Sequence, residues 1–167
     1  MGLQNLATDY KPTENQEFSN KKLIGDAVCT VTLETLISKK NNKKWYKLTG
    51  EVINAIADTK GRETNLISGD EITKMYDPED DSSLQKLMND LFTAGINYEA
   101  GADEDSTFAN MASAAKDKLV YYRTWVKELS ADMKVKYPNN TTGYFQNINI
   151  LSSNKLTPEN QQAQLPI

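Results

Sequence analysis

No histidine occurs anywhere in the 167 residues. That removes the commonest general base and the commonest metal ligand of proteins. The single cysteine, Cys29, excludes an internal disulfide framework. It lies in an apolar run, where a thiol is expected to be buried and inert. No apolar run approaches the ~20 residues of a membrane-spanning helix, and the opening MGLQNLATDY lacks a signal-peptide core. Leu6 stands where a myristoylation signal requires Ser or Thr. A soluble, intracellular protein is therefore expected. Hydrophobic residues make up 38% of the chain and the mean hydropathy is -0.63, so one core with polar ends is expected. A Walker loop, a dinucleotide fingerprint and a nucleophile elbow are all missing, and neither a cofactor nor an enzymatic activity is expected.

Positive charge is also scarce overall, with a net charge of -4. It is concentrated, however. Lys39, Lys40, Lys43, Lys44, Lys47, Lys60 and Arg62 face only Glu51 and Asp58 within residues 39–62. Residues 77–105 hold nine carboxylates and one cation, Lys86. Because salt screens charges over roughly 8 Å, a ligand meets the local patch rather than the total.

Taken in order, residues 1–20 read as a loose polar arm. In GDAVCTVTLETLI, Ala27, Cys29, Val31 and Leu33 alternate with polar or β-branched residues, the period of a strand with one buried face. SKKNNKK is a turn in which Asn41 and Asn42 tolerate positive φ. The return strand begins at Trp45, with Tyr46, Leu48 and Val52 on one face and Trp45, Lys47, Thr49 and Glu51 on the other. Gly50 within it suggests a bulge or a sharp bend. A third strand falls at 63–67 or at 71–76. Ser82 and Gln85 form a capping box for a helix whose Leu84, Leu87, Met88, Leu91 and Phe92 make one stripe, ended by Gly95. A weaker helical stretch surrounds Phe108 and Met111. Residues 118–129 and 144–151 supply two more strands, and residues 152–167 read as a disordered tail.

The order strand, strand, strand, helix, strand, strand predicts a mainly β domain over residues 21–151. Its expected form is a five-stranded oligonucleotide-binding (OB) barrel with a helix between strands 3 and 4. Two strands carry aromatics among cations: Lys43, Lys44, Trp45 and Lys47 on one, Tyr121, Arg123, Trp125 and Lys127 on the other. Single-stranded nucleic acid presents flat bases on a charged backbone, so its binder needs rings to stack on and cations for phosphates. Those residues, with Lys39, Lys40, Arg62 and Phe145, are the candidate nucleic-acid-binding set. Two other chemistries fit less well. Asp77, Glu79 and Asp81 have the spacing of a calcium loop, but Ser82 replaces its glycine and Met88 its bidentate glutamate. The carboxylates at 103–105 cluster in a loop rather than on adjacent strands, which disfavours a two-metal nuclease.

The span GDAVCTVTLETLISKKNNKKWYKLTGEVINAIADTKGRETN, followed by SSLQKLMNDLFTAGI, resembles bacteriophage single-stranded DNA-binding proteins of the OB class. It is the combination of a basic hairpin, an aromatic strand, a Gly-Arg turn and a helix ending in glycine that carries the likeness, over residues 23–96 and more loosely over 118–151. The resemblance implies a viral protein that coats DNA during replication or recombination in the cytoplasm of an infected bacterium. Its implied partners are single-stranded DNA and replication or recombination proteins, with homo-oligomerisation compatible. The tail QQAQLPI departs from the acidic, aromatic-tipped tails of that family, which leaves tail-mediated recruitment without a basis. A competing reading is a phage protein that binds and inhibits a host factor through the acidic 77–105 segment.

Overall fold

The computed structural model describes residues 21–56, 64–140 and 142–161. Five antiparallel strands form a single sheet in the order β3-β2-β1-β4-β5. They are β1 (Gly25–Ile37), β2 (Lys44–Ile56), β3 (Glu71–Tyr76), β4 (Leu119–Glu128) and β5 (Tyr144–Ile150). Helices α1 (Asp81–Thr93) and α2 (Glu104–Ala115) follow β3, and a short α3 (Ala131–Lys136) joins β4 to β5. After β5 come a 3-10 turn (Ser153–Lys155) and α4 (Pro158–Gln161), within the stretch expected to be a tail. The class is mixed α/β. The sheet is not closed into the expected barrel, because β3 and β5 remain its two edges.

Alternation along the strands sorts the sheet into two faces. The inner face carries Ala27, Cys29, Val31 and Leu33 of β1, with Tyr46, Leu48 and Val52 of β2, all buried. Val120 and Tyr122 of β4, Ile72 of β3 and Ile150 of β5 complete it. Leu87 and Leu91 of α1 and Met111 and Ala115 of α2 cover this face. Phe108 of α2 stacks on Tyr46, ring centroids 4.0 Å apart at 19°.

Gly50 keeps regular pairing, opposite Val31 and Ile72. Its lack of a side chain matters for packing, since a Cβ there would sit 2.9 Å from the Tyr122 ring. The bulge lies three residues on: Val28 pairs with Asn54 and Cys29 with Val52, which leaves Ile53 as the extra residue. The second position for the third strand is the one adopted. Asn42 takes φ 55° in the hairpin turn and Gly95 φ 76° after α1. Asp80 rather than Ser82 caps α1, accepting from the Ser82 amide. A capping box occurs at α2 instead, between Asp103 and Ser106.

On the outward face, Val28, Asn54 and Tyr121 are buried as well. The segment after β5 packs against β2 and β4 there. The Asn54 side-chain amide donates to the Asn160 carbonyl (2.8 Å), and the Lys155 ammonium lies 5.9 Å from the Tyr121 ring centre. Among the described residues no helix is long and apolar enough to cross a membrane.

Candidate nucleic-acid interface

Between the two sheet edges lies a cleft of about 1080 Å³. One wall is Lys47 of β2 with Gly69, Asp70, Glu71 and Thr73 at and before β3; the other is Tyr144, Phe145, Gln146 and Ile148 of β5. Asn140 and Thr142, from the link between α3 and β5, form one end, and Lys21 and Leu23 run through it. The stretch Lys21–Ile24 ties the walls together. Gln146 exchanges hydrogen bonds with both backbone groups of Leu23 (2.8 and 2.9 Å). On the other side Ile24 donates to the Asn65 side chain (2.9 Å) and Lys21 pairs with Asp70 (2.7 Å). A strand-to-strand ladder that would close the sheet is thus replaced by side-chain bridges and one backbone bond, from the Asn65 amide to the Ile24 carbonyl (2.9 Å).

The basic hairpin divides in two. Lys39 and Lys40 stand exposed at its tip. Lys43 turns toward the loop between β3 and α1, where its ammonium meets Asp77 (2.9 Å) and Glu79 (2.7 Å). Those two hydrogen bonds, Glu79 first, hold the Lys43 ammonium above its ordinary pKa. The bond from Lys43, followed by the Glu79 amide, holds Asp77 below the usual carboxylate value. Lys44 lies 3.7 Å from Asp105 and 5.3 Å from the Tyr46 ring centre. Part of the acidic 77–105 segment therefore neutralises part of the basic hairpin. Trp45 and Lys47 point outward from β2, Trp45 opposite Leu36 and Lys47 between Glu34 and Met75. The Lys43 ammonium lies 5.1 Å from the Trp45 ring centre.

The β4 set also divides. Arg123 grips Asp26 with two hydrogen bonds of 2.9 Å, and the Tyr121 hydroxyl donates to the same carboxylate at 2.7 Å. These two residues fasten β4 to the start of β1. Trp125 is 40% exposed, opposite Asn147, and Lys127 is exposed opposite Phe145. Phe145 meets Tyr137 edge to face, centroids 5.2 Å apart. Arg62 lies outside the described residues.

Two of the expected neighbours are not together. Trp45 sits opposite Leu36 near one end of β1, while Thr124, next to Trp125, sits opposite Gly25 at the other. Eleven residues of β1 separate those positions, roughly 35 Å of strand path at about 3.3 Å per residue. A single furrow with paired indoles across β1 is excluded. The other way round the sheet passes β3, the cleft and β5. Trp45 and Lys47 on β2 lead past β3 to the cleft, then to Phe145 on β5, and then to Lys127 and Trp125 on β4. Among the described residues, Lys47 and Phe145 are the two candidates that line the same cavity. Its lining is balanced in charge, with Lys21 and Lys47 against Asp70 and Glu71.

Tyr144, Asn140 and Thr142 at the cleft were not singled out from sequence. Tyr144 was legible only as a strand residue, and the other two only as part of a turn. Among the described residues no cluster of three or more cysteine, aspartate or glutamate side chains is placed to hold a metal ion. Asp77 and Glu79, two of the calcium-spaced acids, bind Lys43 instead. Comparison of the chain with protein-family models and with curated proteins returns no match.

Proposed function

We propose that this chain binds single-stranded DNA without strong sequence preference, as a non-catalytic coating protein in phage DNA replication or recombination. The observation that carries the reading is the cleft between β3 and β5, with Lys47 and Phe145 on its facing walls. The β1–β2 hairpin, with exposed Lys39 and Lys40, lies on the β2 side, and the β4–β5 link contributes Asn140 and Thr142 at one end. The strand order, with β1 between β2 and β4 and the helices placed after β3, is also that of an opened OB barrel. In that fold the face of strands 2 and 3 and the loops 1–2 and 4–5 receive oligonucleotides. A strand would stack bases on Trp45, Phe145 and Trp125 and place phosphates near Lys39, Lys40, Lys47 and Lys127. Lys43, Lys44, Tyr121 and Arg123 would act indirectly, by holding the framework.

The test is a fluorescence titration with oligo-dT across salt concentrations. Tryptophan emission is expected to be quenched and affinity to fall as salt rises. Phe145→Ala or Trp125→Ala should remove stacking worth ~1–3 kcal/mol per base, while Lys116→Ala, on the exposed link between α2 and β4, leaves affinity unchanged. A flat titration at low salt, or equal losses in all three variants, overturns the reading.

A further inference from the structure

Helix α1 was expected to bury a single stripe, but the stripe is split. Leu87 and Leu91 are fully buried, whereas Met88 and Phe92, one turn apart, are 48% and 81% exposed. Beside Met88 a cavity of about 330 Å³ opens between α1 and α2, floored by Tyr46, Phe108 and Met111 and edged by Asp103 and Glu104. An apolar ridge and pocket with an anionic edge is thus left in solvent on the helical side of the sheet. Far along the chain, α3 presents the complementary chemistry. Val135 is 82% exposed between Lys134 and Lys136. Each is an exposed large apolar group, and none is among the residues proposed to touch DNA.

We propose that the α3 face of one copy of this chain docks on the α1–α2 face of the next, with Val135 against Met88, Phe92 and the pocket. Lys134 and Lys136 meet Asp103 and Glu104 across the rim. Charge selects this pairing over the two-fold alternative. An α1–α2 face against itself would bring the Asp103 and Glu104 edge of the pocket against its own copy, and like charges in contact are penalised. The two faces are different surfaces of one molecule, so the contact is heterologous and repeats from copy to copy. Met88 and Phe92 lie on α1, away from the β4–β5 link, and the assembly is read without DNA, so the inference stands or falls apart from the proposed function.

The test uses the full chain without DNA, by sedimentation equilibrium at low salt. The wild type is expected to show a mass that rises with concentration and falls back to the monomer at high salt. Phe92→Asp and Val135→Asp, both at exposed positions, should each remain monomeric with unchanged circular dichroism. Mixed in equal amounts, they should form a dimer that grows no further, because each variant retains one intact face. A wild type that stays monomeric, a single variant that still assembles, or a mixture that stays monomeric or grows past two, overturns the proposal. Phe92→Asp should titrate a short oligo-dT like the wild type. If DNA binding itself is absent, that titration is flat for both while the assembly results still stand.

Discussion

Gly50, Cys29 and Tyr122 meet at the centre of the inner face, where one added methyl group has no room. Gly50→Ala would drive a Cβ to 2.9 Å from the Tyr122 ring and 3.1 Å from the Cys29 Cβ. Overpacking of this kind costs ~1–3 kcal/mol, and a urea denaturation midpoint should fall accordingly. The same burial, with a smaller contribution from Glu51, pushes the Cys29 thiol up to about 12. In mildly alkaline solution Cys29 should therefore resist a thiol reagent until the protein is unfolded; labelling of the native protein would contradict that packing. At the Asp26 joint, Arg123→Ala removes two charge-assisted hydrogen bonds. With its guanidinium partly in solvent, the loss should be about 1–2 kcal/mol of stability. Lys47→Ala should show the opposite profile, with weaker oligo-dT binding and an unchanged denaturation curve. Arg123 and Lys47 look alike in sequence, as cations on aromatic strands. What separates them is Asp26, a partner 97 residues away from Arg123, and no local pattern announces it.

The β1–β2 hairpin and the β3–α1 loop are joined through Lys43, and that joint responds to acid in a defined sense. Asp77 has a folded pKa below its ordinary 3.8, so its contribution to stability is complete above 3.8 and is lost as the pH falls through the lower folded value. Lys43, raised above 10.5, contributes fully below 10.5 and loses that contribution as the pH rises through the raised value. The gap in melting temperature between wild type and Lys43→Met should close as acid takes the solution below 3.8; a constant gap would show that the pair does not form. Elements of this kind were largely legible. Period-two alternation located β1, β2, β4 and β5, and the Leu87/Leu91 stripe located α1. The capping residue of α1 was misplaced by two positions because Asp80, Asp81 and Ser82 are all competent caps, and only backbone geometry chooses among them. Helix α3, at six residues, is too short to show a helical period.

At the scale of the molecule, strand identity and extent were readable while register was not, and register decides which side chains lie near one another. The thirteen residues of β1 carry Trp45 and Trp125 to opposite ends, and the path proposed for DNA runs round the open edge of the sheet by way of the cleft. A prediction follows for binding stoichiometry. If DNA follows that path, Trp45→Phe and Trp125→Phe proteins should each retain part of the fluorescence quenching, and the short oligo-dT that saturates one indole should fail to saturate the other. Simultaneous saturation by the shortest oligonucleotide would place the two rings in one site and contradict the register.

The tie across the open edge has a consequence of its own. Gln146 engages the backbone of Leu23 as a neighbouring strand would, yet it does so with an amide at the end of a flexible stem. Such a rung is exchangeable: a nucleobase edge offers the same donor and acceptor, and could take its place while β5 keeps every bond to β4. The Lys22 ammonium, 2.7 Å from Glu128 and 5.1 Å from the Tyr144 ring centre, would still hold that wall in place.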